Sequence, residues 1–219
     1  MMKFEAIIFD LDGTLLDTLE DIADSANNVL ARRGYAAHEA GDYKLMIGAG
    51  VRKLVERMLP RGAGEPGLID RCLAEMREEY GRNWKNKTRP YDGVPEMLEG
   101  VAALGLKRAV LSNKPDDLTR VCVAELLTPW SFDVVAGQGG AIRHKPDPAG
   151  ALELARRMDV APDSTLFLGD SDIDILTAVN AGMYPAGALW GFRTREELSG
   201  AGALALLDHP RQLLEILDP

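Results

Sequence analysis

Cysteine and histidine are scarce in this chain. Cys72 and Cys122 are its two cysteines in 219 residues, and three histidines accompany them. So few of both offer no cysteine–histidine cluster for a metal and no disulfide framework, and they suit a reducing compartment. A cytoplasmic location is expected. Long apolar runs are also missing. None approaches the length that crosses a bilayer. The N-terminal "AIIF" is short, lacks a basic flank and is cut off by acids, which does not fit a signal peptide. Positive charge is in deficit, with 25 Lys and Arg against 34 Asp and Glu and a net charge of −9. That balance argues against nucleic acid or an anionic membrane surface as the main partner. What remains is ordinary for a globular protein: 46% hydrophobic residues, 27% charged, and enough length for a sizeable core.

Short runs rich in Val, Ile, Leu and Phe alternate with helical patterns. Strands are expected near 5–10, 107–112, 132–136, 164–169, 184–189 and 203–207. Helices are expected near 94–104, 116–127, 148–158, 172–181 and 210–217. This alternation predicts an α/β fold, a Rossmann-like parallel sheet with covering helices. Nearly a hundred residues separate the first two strands, whereas a crossover needs about a dozen. The excess reads as an inserted helical cap at 16–88, within a core of 1–15 and 89–219. "TLED" is a capping-box candidate for its first helix, with Thr18 at the cap and Asp21 three residues on. "PRGAGEPG", 60–67, is a turn-rich break. The insert is charge-balanced, 12 basic against 12 acidic residues, so the core carries the whole −9.

In open parallel sheets, ligands bind beyond the carboxyl ends of the strands. After the first strand come Asp10, Asp12 and Thr14. After the second come Ser112, Asn113 and Lys114, and the loop after the third holds Lys145 in "HKPDP". The fourth is followed by "GDSDID", with Asp170, Ser171, Asp172 and Asp174. Each has a purely structural alternative. Asp12-Gly13 is a common turn pair, Ser171 and Asp174 fit a capping box, Asp147-Pro148 reads as a helix start, and Lys145 alone reads as a solvated lysine. Four strands in succession delivering polar groups to one edge point to a site. Two unit charges about 4 Å apart repel by about 4 kcal/mol at an effective dielectric of 20. Asp10, Asp12, Asp170 and Asp174 together therefore call for a cation. Oxygen ligands without Cys or His select a hard ion, Mg²⁺. With Lys145 it would neutralise an incoming phosphate ester, so that a carboxylate could attack phosphorus.

"FDLDGT", "LSNK", "HKPDP" and "GDSDID" together resemble the four ordered motifs of the haloacid dehalogenase-like hydrolases. The resemblance implies Asp10 as nucleophile and Mg²⁺ ligand, and Asp12 as general acid/base with its backbone carbonyl on the metal. Asp170 becomes the third protein ligand, supported by Asp174. Ser112 and Lys145 hold the phosphoryl group, and Thr14 orients the nucleophile loop; by its own chemistry Asn113 is a second neutral donor suited to a phosphoryl oxygen. "MIGAGVRKLVERML", "LSNKP" and "WGFRTREEL" are similar to the phosphoglycolate phosphatase-like group. The expected partner is a small phosphate ester, and the expected assembly a monomer or homodimer.

In the insert, "GAGVRK" is a candidate for reading the leaving group, with Arg52 left open and Lys53 read as the solvated face of a helix. Sugar-phosphate mutases and pyrophosphatases of the same superfamily remain alternatives. A phospho-aspartate receiver domain is a rival from another class. It shares the inventory of acids, hydroxyl and lysine, but its accepting aspartate follows a later strand.

Overall fold

The computed structural model describes residues 4–63, 65–140 and 142–217. Residues 1–3, 141 and 218–219 of the expected core, and Gly64 of the 60–67 break, lie outside them. The chain opens with β1 (Ala6–Phe9) and β2 (Leu16–Asp17), then α1 (Leu19–Arg32), α2 (Val51–Met58) and α3 (Leu68–Asn83). There follow β3 (Arg89–Pro90), α4 (Val94–Ala103), β4 (Lys107–Pro115), α5 (Asp116–Leu126), β5 (Val134–Gln138) and α6 (Ala149–Met158). The chain closes with β6 (Thr165–Gly169), α7 (Asp172–Ala181), β7 (Tyr184–Ala188), α8 (Arg195–Gly200), β8 (Ala205–Leu207) and α9 (Gln212–Leu217). Two compact units result: one takes in the chain up to Asp17 and from Pro90 onward, the other Thr18–Arg89.

The first unit is built on a six-stranded sheet in the order β5-β4-β1-β6-β7-β8. Every neighbouring pair in it is parallel. β1 lies between β4 and β6 and is buried along its whole length, which is why it reads as an unbroken apolar run. Ile8 and Phe167 pack with Leu111, with Leu154 and Met158 of α6, and with Ala178 of α7 in one core cluster. Phe9 stands beside Val110 on one side and Leu168 on the other. Asp10 just past β1 and Asp170 just past β6 therefore emerge beside Ser112, Asn113 and Lys114, which lie within the last part of the longer β4. The chain moves from β1 to β4 and β5 on one side and returns to β6 on the other, so the strand order reverses beside β1. That is where open α/β sheets take their ligands.

The second unit is helical. α1 buries Ile22, Ala23, Ala26, Val29 and Leu30, apolar positions at helical spacing. The connection from α1 to α2 is pinned by Tyr43, fully buried, whose hydroxyl donates to Asn27 Oδ1 at 2.7 Å. Asn27 also brackets His38, donating to its carbonyl at 2.9 Å and accepting from its N–H at 3.0 Å. The capping box expected at Thr18 does not form: Thr18 makes no side-chain cap bond to α1. Asp21 instead accepts from Lys87 N at 3.0 Å, Thr88 N at 2.8 Å and Thr88 Oγ1 at 2.7 Å, tying the unit's last residues to its first helix.

Helices and strands of the core fall where the apolar runs place them. β2, β3 and α8 are additions, each too short to show a period. Among the described residues no helix is long and apolar enough to cross a membrane.

Candidate active site

Asp10 is the first residue past β1. Its N–H still donates to Leu168 O at 2.9 Å, which holds it in register with β6. The chain then turns tightly. Gly13 adopts φ +86°, and a Cβ there would overlap the Asp170 carboxylate, so this turn admits glycine for both reasons. Thr14 sends its hydroxyl to Asp170 Oδ1 at 3.1 Å. Asp170, just past β6, accepts from Phe192 N on its other oxygen at 2.9 Å. The loop after β7 thus supports the site, and Trp190 Nε1 adds a bond to Thr14 O at 2.9 Å.

Asp174 sits in the first turn of α7 and does two things. Its Oδ2 accepts from Ser171 N at 3.1 Å and from Ser171 Oγ at 2.6 Å, completing the capping box the sequence suggests. Its Oδ1 faces Lys145 Nζ at 2.6 Å. Lys145 Nζ also lies 2.7 Å from Asp10 Oδ1, and the lysine is 4% exposed. Asp174 therefore caps its own helix and pairs with Lys145 at the same time. Lys145 is no surface lysine.

The remaining expected residues divide. Ser112 is buried, and its Oγ accepts Lys114 N–H at 3.2 Å, which directs its own proton elsewhere. Asn113 turns its amide to the Lys145 backbone, accepting from Lys145 N at 2.8 Å and donating to Lys145 O at 3.2 Å. It clips two chain segments together. The Asp12 carboxylate meets Lys114 Nζ at 2.7 Å. Arg52, in the helical unit, pairs with Asp70 at 2.8 Å on the surface, and Lys53 pairs with Glu56. Lys114, Trp190 and Phe192 were not singled out for roles by sequence reasoning. Their contacts join residues too far apart in the chain for any local pattern to announce them.

Charge is crowded here. Burial, reinforced by the Asp174 charge, holds the Asp10 carboxyl well above the usual carboxylate range, although Lys145 works against this. Asp170 is pushed up to about 7 by burial and then by Asp174, with Phe192 N–H and Thr14 opposing. Burial disfavours the Lys145 ammonium, but Asp10 and Asp174 overcome it and hold its pKa above the ordinary lysine value. Asp10, Asp170 and Asp174 each offer a carboxylate oxygen within 4.8 Å of the others. Counted as ionised, Asp10, Asp12, Asp170 and Asp174 outnumber the two ammonium groups of Lys114 and Lys145 by two. The shortfall equals the charge of one divalent cation, and an all-oxygen donor set suits Mg²⁺. The residues present fit that ion. The Asp12 carboxylate stands outside the three-acid group.

A family model described as haloacid dehalogenase-like hydrolase matches residues 7–188. The chain is 31% identical to a phosphoglycolate phosphatase of Aquifex aeolicus, over 97% of this chain and 96% of the relative. It is 29% identical to an N-acetylmuramic acid 6-phosphate phosphatase of Pseudomonas aeruginosa, over 99% and 96% of the two. A crystal structure from Lactobacillus delbrueckii subsp. bulgaricus, provisionally described as a phosphoglycolate phosphatase, superposes with a TM-score of 0.93 at 32% identity, covering 99% of each chain. With the four strand-end motifs gathered at one edge of this sheet, the chain belongs to the haloacid dehalogenase-like hydrolases.

Proposed function

We infer that the protein is a Mg²⁺-dependent phosphatase of a small organic phosphate monoester, phosphoglycolate or a close analogue, working through an aspartyl phosphate on Asp10. The observation that carries this reading is the buried Asp10 carboxylate, 2.7 Å from Lys145 Nζ and grouped with Asp170 and Asp174. A dianionic phosphate cannot approach such a carboxylate without fixed positive charge. Asp10 and Asp170, with the Asp12 backbone carbonyl, are the groups that would hold Mg²⁺, and Asp174 lies beside them. When bound, the ion would offset the charge of the phosphate and of the nucleophile.

An oxygen of Asp10 forms a bond to phosphorus as the ester P–O bond breaks. Asp12 delivers a proton to the departing oxygen, so the product leaves as an alcohol. The Asp12 carboxylate then takes a proton from water as that water attacks phosphorus. The acyl phosphate bond breaks, and Asp10 and inorganic phosphate are released. Lys145 steadies Asp10 and the phosphoryl oxygens, and Ser112 has a proton free to donate to one of them. Asn113 holds Lys145 in place through its backbone.

The relatives act on different esters by name, so the leaving group is decided by assay. A panel of phosphoglycolate, hexose phosphates, N-acetylmuramic acid 6-phosphate and pyrophosphate, each with Mg²⁺, measures phosphate release. Turnover highest on a small carboxylated ester supports this reading. Isomerised product without free phosphate would mark a mutase, and full activity in excess EDTA would refute the metal.

A further inference from the structure

We propose that Lys114 is the positioning residue of Asp12: its buried ammonium fixes the carboxylate that exchanges protons with the leaving group and with water. The proposal rests on the reading of Asp12 as general acid/base.

Lys114 is held from three directions at the end of β4. Its N–H donates to Ser112 Oγ at 3.2 Å, and its carbonyl accepts from Thr119 Oγ1 at 3.2 Å. Its side chain is 4% exposed and meets Asp12 Oδ1 at 2.7 Å, where the Asp12 side chain is 14% exposed. An exposed pair of this kind contributes little. A buried ammonium, by contrast, is expensive to leave unpartnered, so a carboxylate beside it is strongly held.

The two lysines also divide the acids between them. Lys145 lies against Asp10 and Asp174. Lys114 lies against Asp12, whose carboxylate is outside the group that could hold a metal. One lysine therefore serves the nucleophile and the other the proton carrier. Asp12 sits two residues past Asp10 in a loop whose geometry is set by the turn at Gly13, so its backbone position is fixed. Its side-chain direction is what Lys114 adds. Proton transfer needs heavy atoms within about 3 Å, and a carboxylate swung aside misses that reach.

The test compares single-turnover rates on an alkyl phosphate and on p-nitrophenyl phosphate, whose phenolate departs without needing a proton. Lys114→Met keeps the length and removes the charge. It should lose at least about tenfold more on the alkyl ester than on the aryl ester. In an Asp12→Asn background, Lys114→Met should cost less than about twofold further on the alkyl ester, because Lys114 acts through Asp12. Equal loss on both esters, or a further loss on top of Asp12→Asn, overturns the proposal, since either means that Lys114 contacts substrate or serves the fold alone. If the single Lys114→Met chain does not fold, the double variant, with both charges removed, carries the same comparison against Asp12→Asn. A leaving-group dependence in Asp12→Asn but not in Lys114→Met sinks the role of Lys114 and spares that of Asp12. Its absence in Asp12→Asn sinks both.

Discussion

At the scale of single residues, the site is a set of carboxylates sorted by their partners. Asp10 is buried against Lys145, and Asp12 faces Lys114. Asp10→Asn removes the proposed nucleophile while keeping shape, and it relieves a crowded charge. Turnover should fall by about a thousandfold or more with thermal stability unchanged or raised. A phosphate-release assay beside a melting curve checks both halves. Asn113→Ala removes two bonds to the Lys145 backbone. It should lower kcat by roughly tenfold while leaving the fold intact, because Lys145 then loses its fixed place beside Asp10.

These residues were unequally visible in the sequence. Asp10 and Asp170 follow apolar runs and Asp174 fits a capping box, so local pattern finds them, whereas Lys145 alone reads as a solvated lysine and stands out only beside the other strand-end motifs. Lys114 was visible as part of "SNK", but its partner lies 102 positions away, and no spacing announces that.

At the scale of elements, the strand ends do the positioning, and loops complete it. The core strands were legible because burial on both faces demands apolar residues throughout. The loop after β7 was not: it serves the site through the Phe192 backbone N–H and the Trp190 indole. Gly191 belongs to that loop, and a Cβ there would overlap the Asp170 side chain and the Gly13 carbonyl. Gly191→Ala should push the loop off Asp170 and raise the Mg²⁺ concentration needed for half-maximal activity by about tenfold. A Mg²⁺ titration of turnover reads this directly.

Asp21 shows how one local pattern can serve two ends. "TLED" has the spacing of a capping box, yet its acid turns to Lys87 and Thr88 at the far end of the helical unit. Whether such an acid caps its own helix depends on what tertiary structure brings within reach, which the four letters do not encode. Asp21→Ala strands the two buried Thr88 donors and the partly buried Lys87 N–H, and should cost about 2–3 kcal/mol, seen as a lower urea midpoint.

At the scale of the whole molecule, the unmet charge couples stability to pH and to metal. The Asp170 carboxyl titrates at about 7 in the folded chain, against about 4 in an unfolded one, and Asp10 is shifted in the same direction. Between those values the folded state binds more protons than the unfolded state, so unfolding releases them and stability falls as pH rises. Without divalent cation, the melting temperature should therefore decline from pH 5 to pH 8 by several degrees. Mg²⁺, bound as proposed to the ionised carboxylates, should raise the melting temperature more at pH 8 than at pH 5. Asp170→Asn removes the principal titrating group and should flatten the pH dependence and shrink the Mg²⁺ effect together. General repulsion from the net charge of −9 would instead survive that substitution almost unchanged. Melting curves of both chains, with EDTA and with Mg²⁺ across this pH range, separate the two causes. A decline that persists undiminished in Asp170→Asn would place the effect at the surface and remove the buried acids as its source.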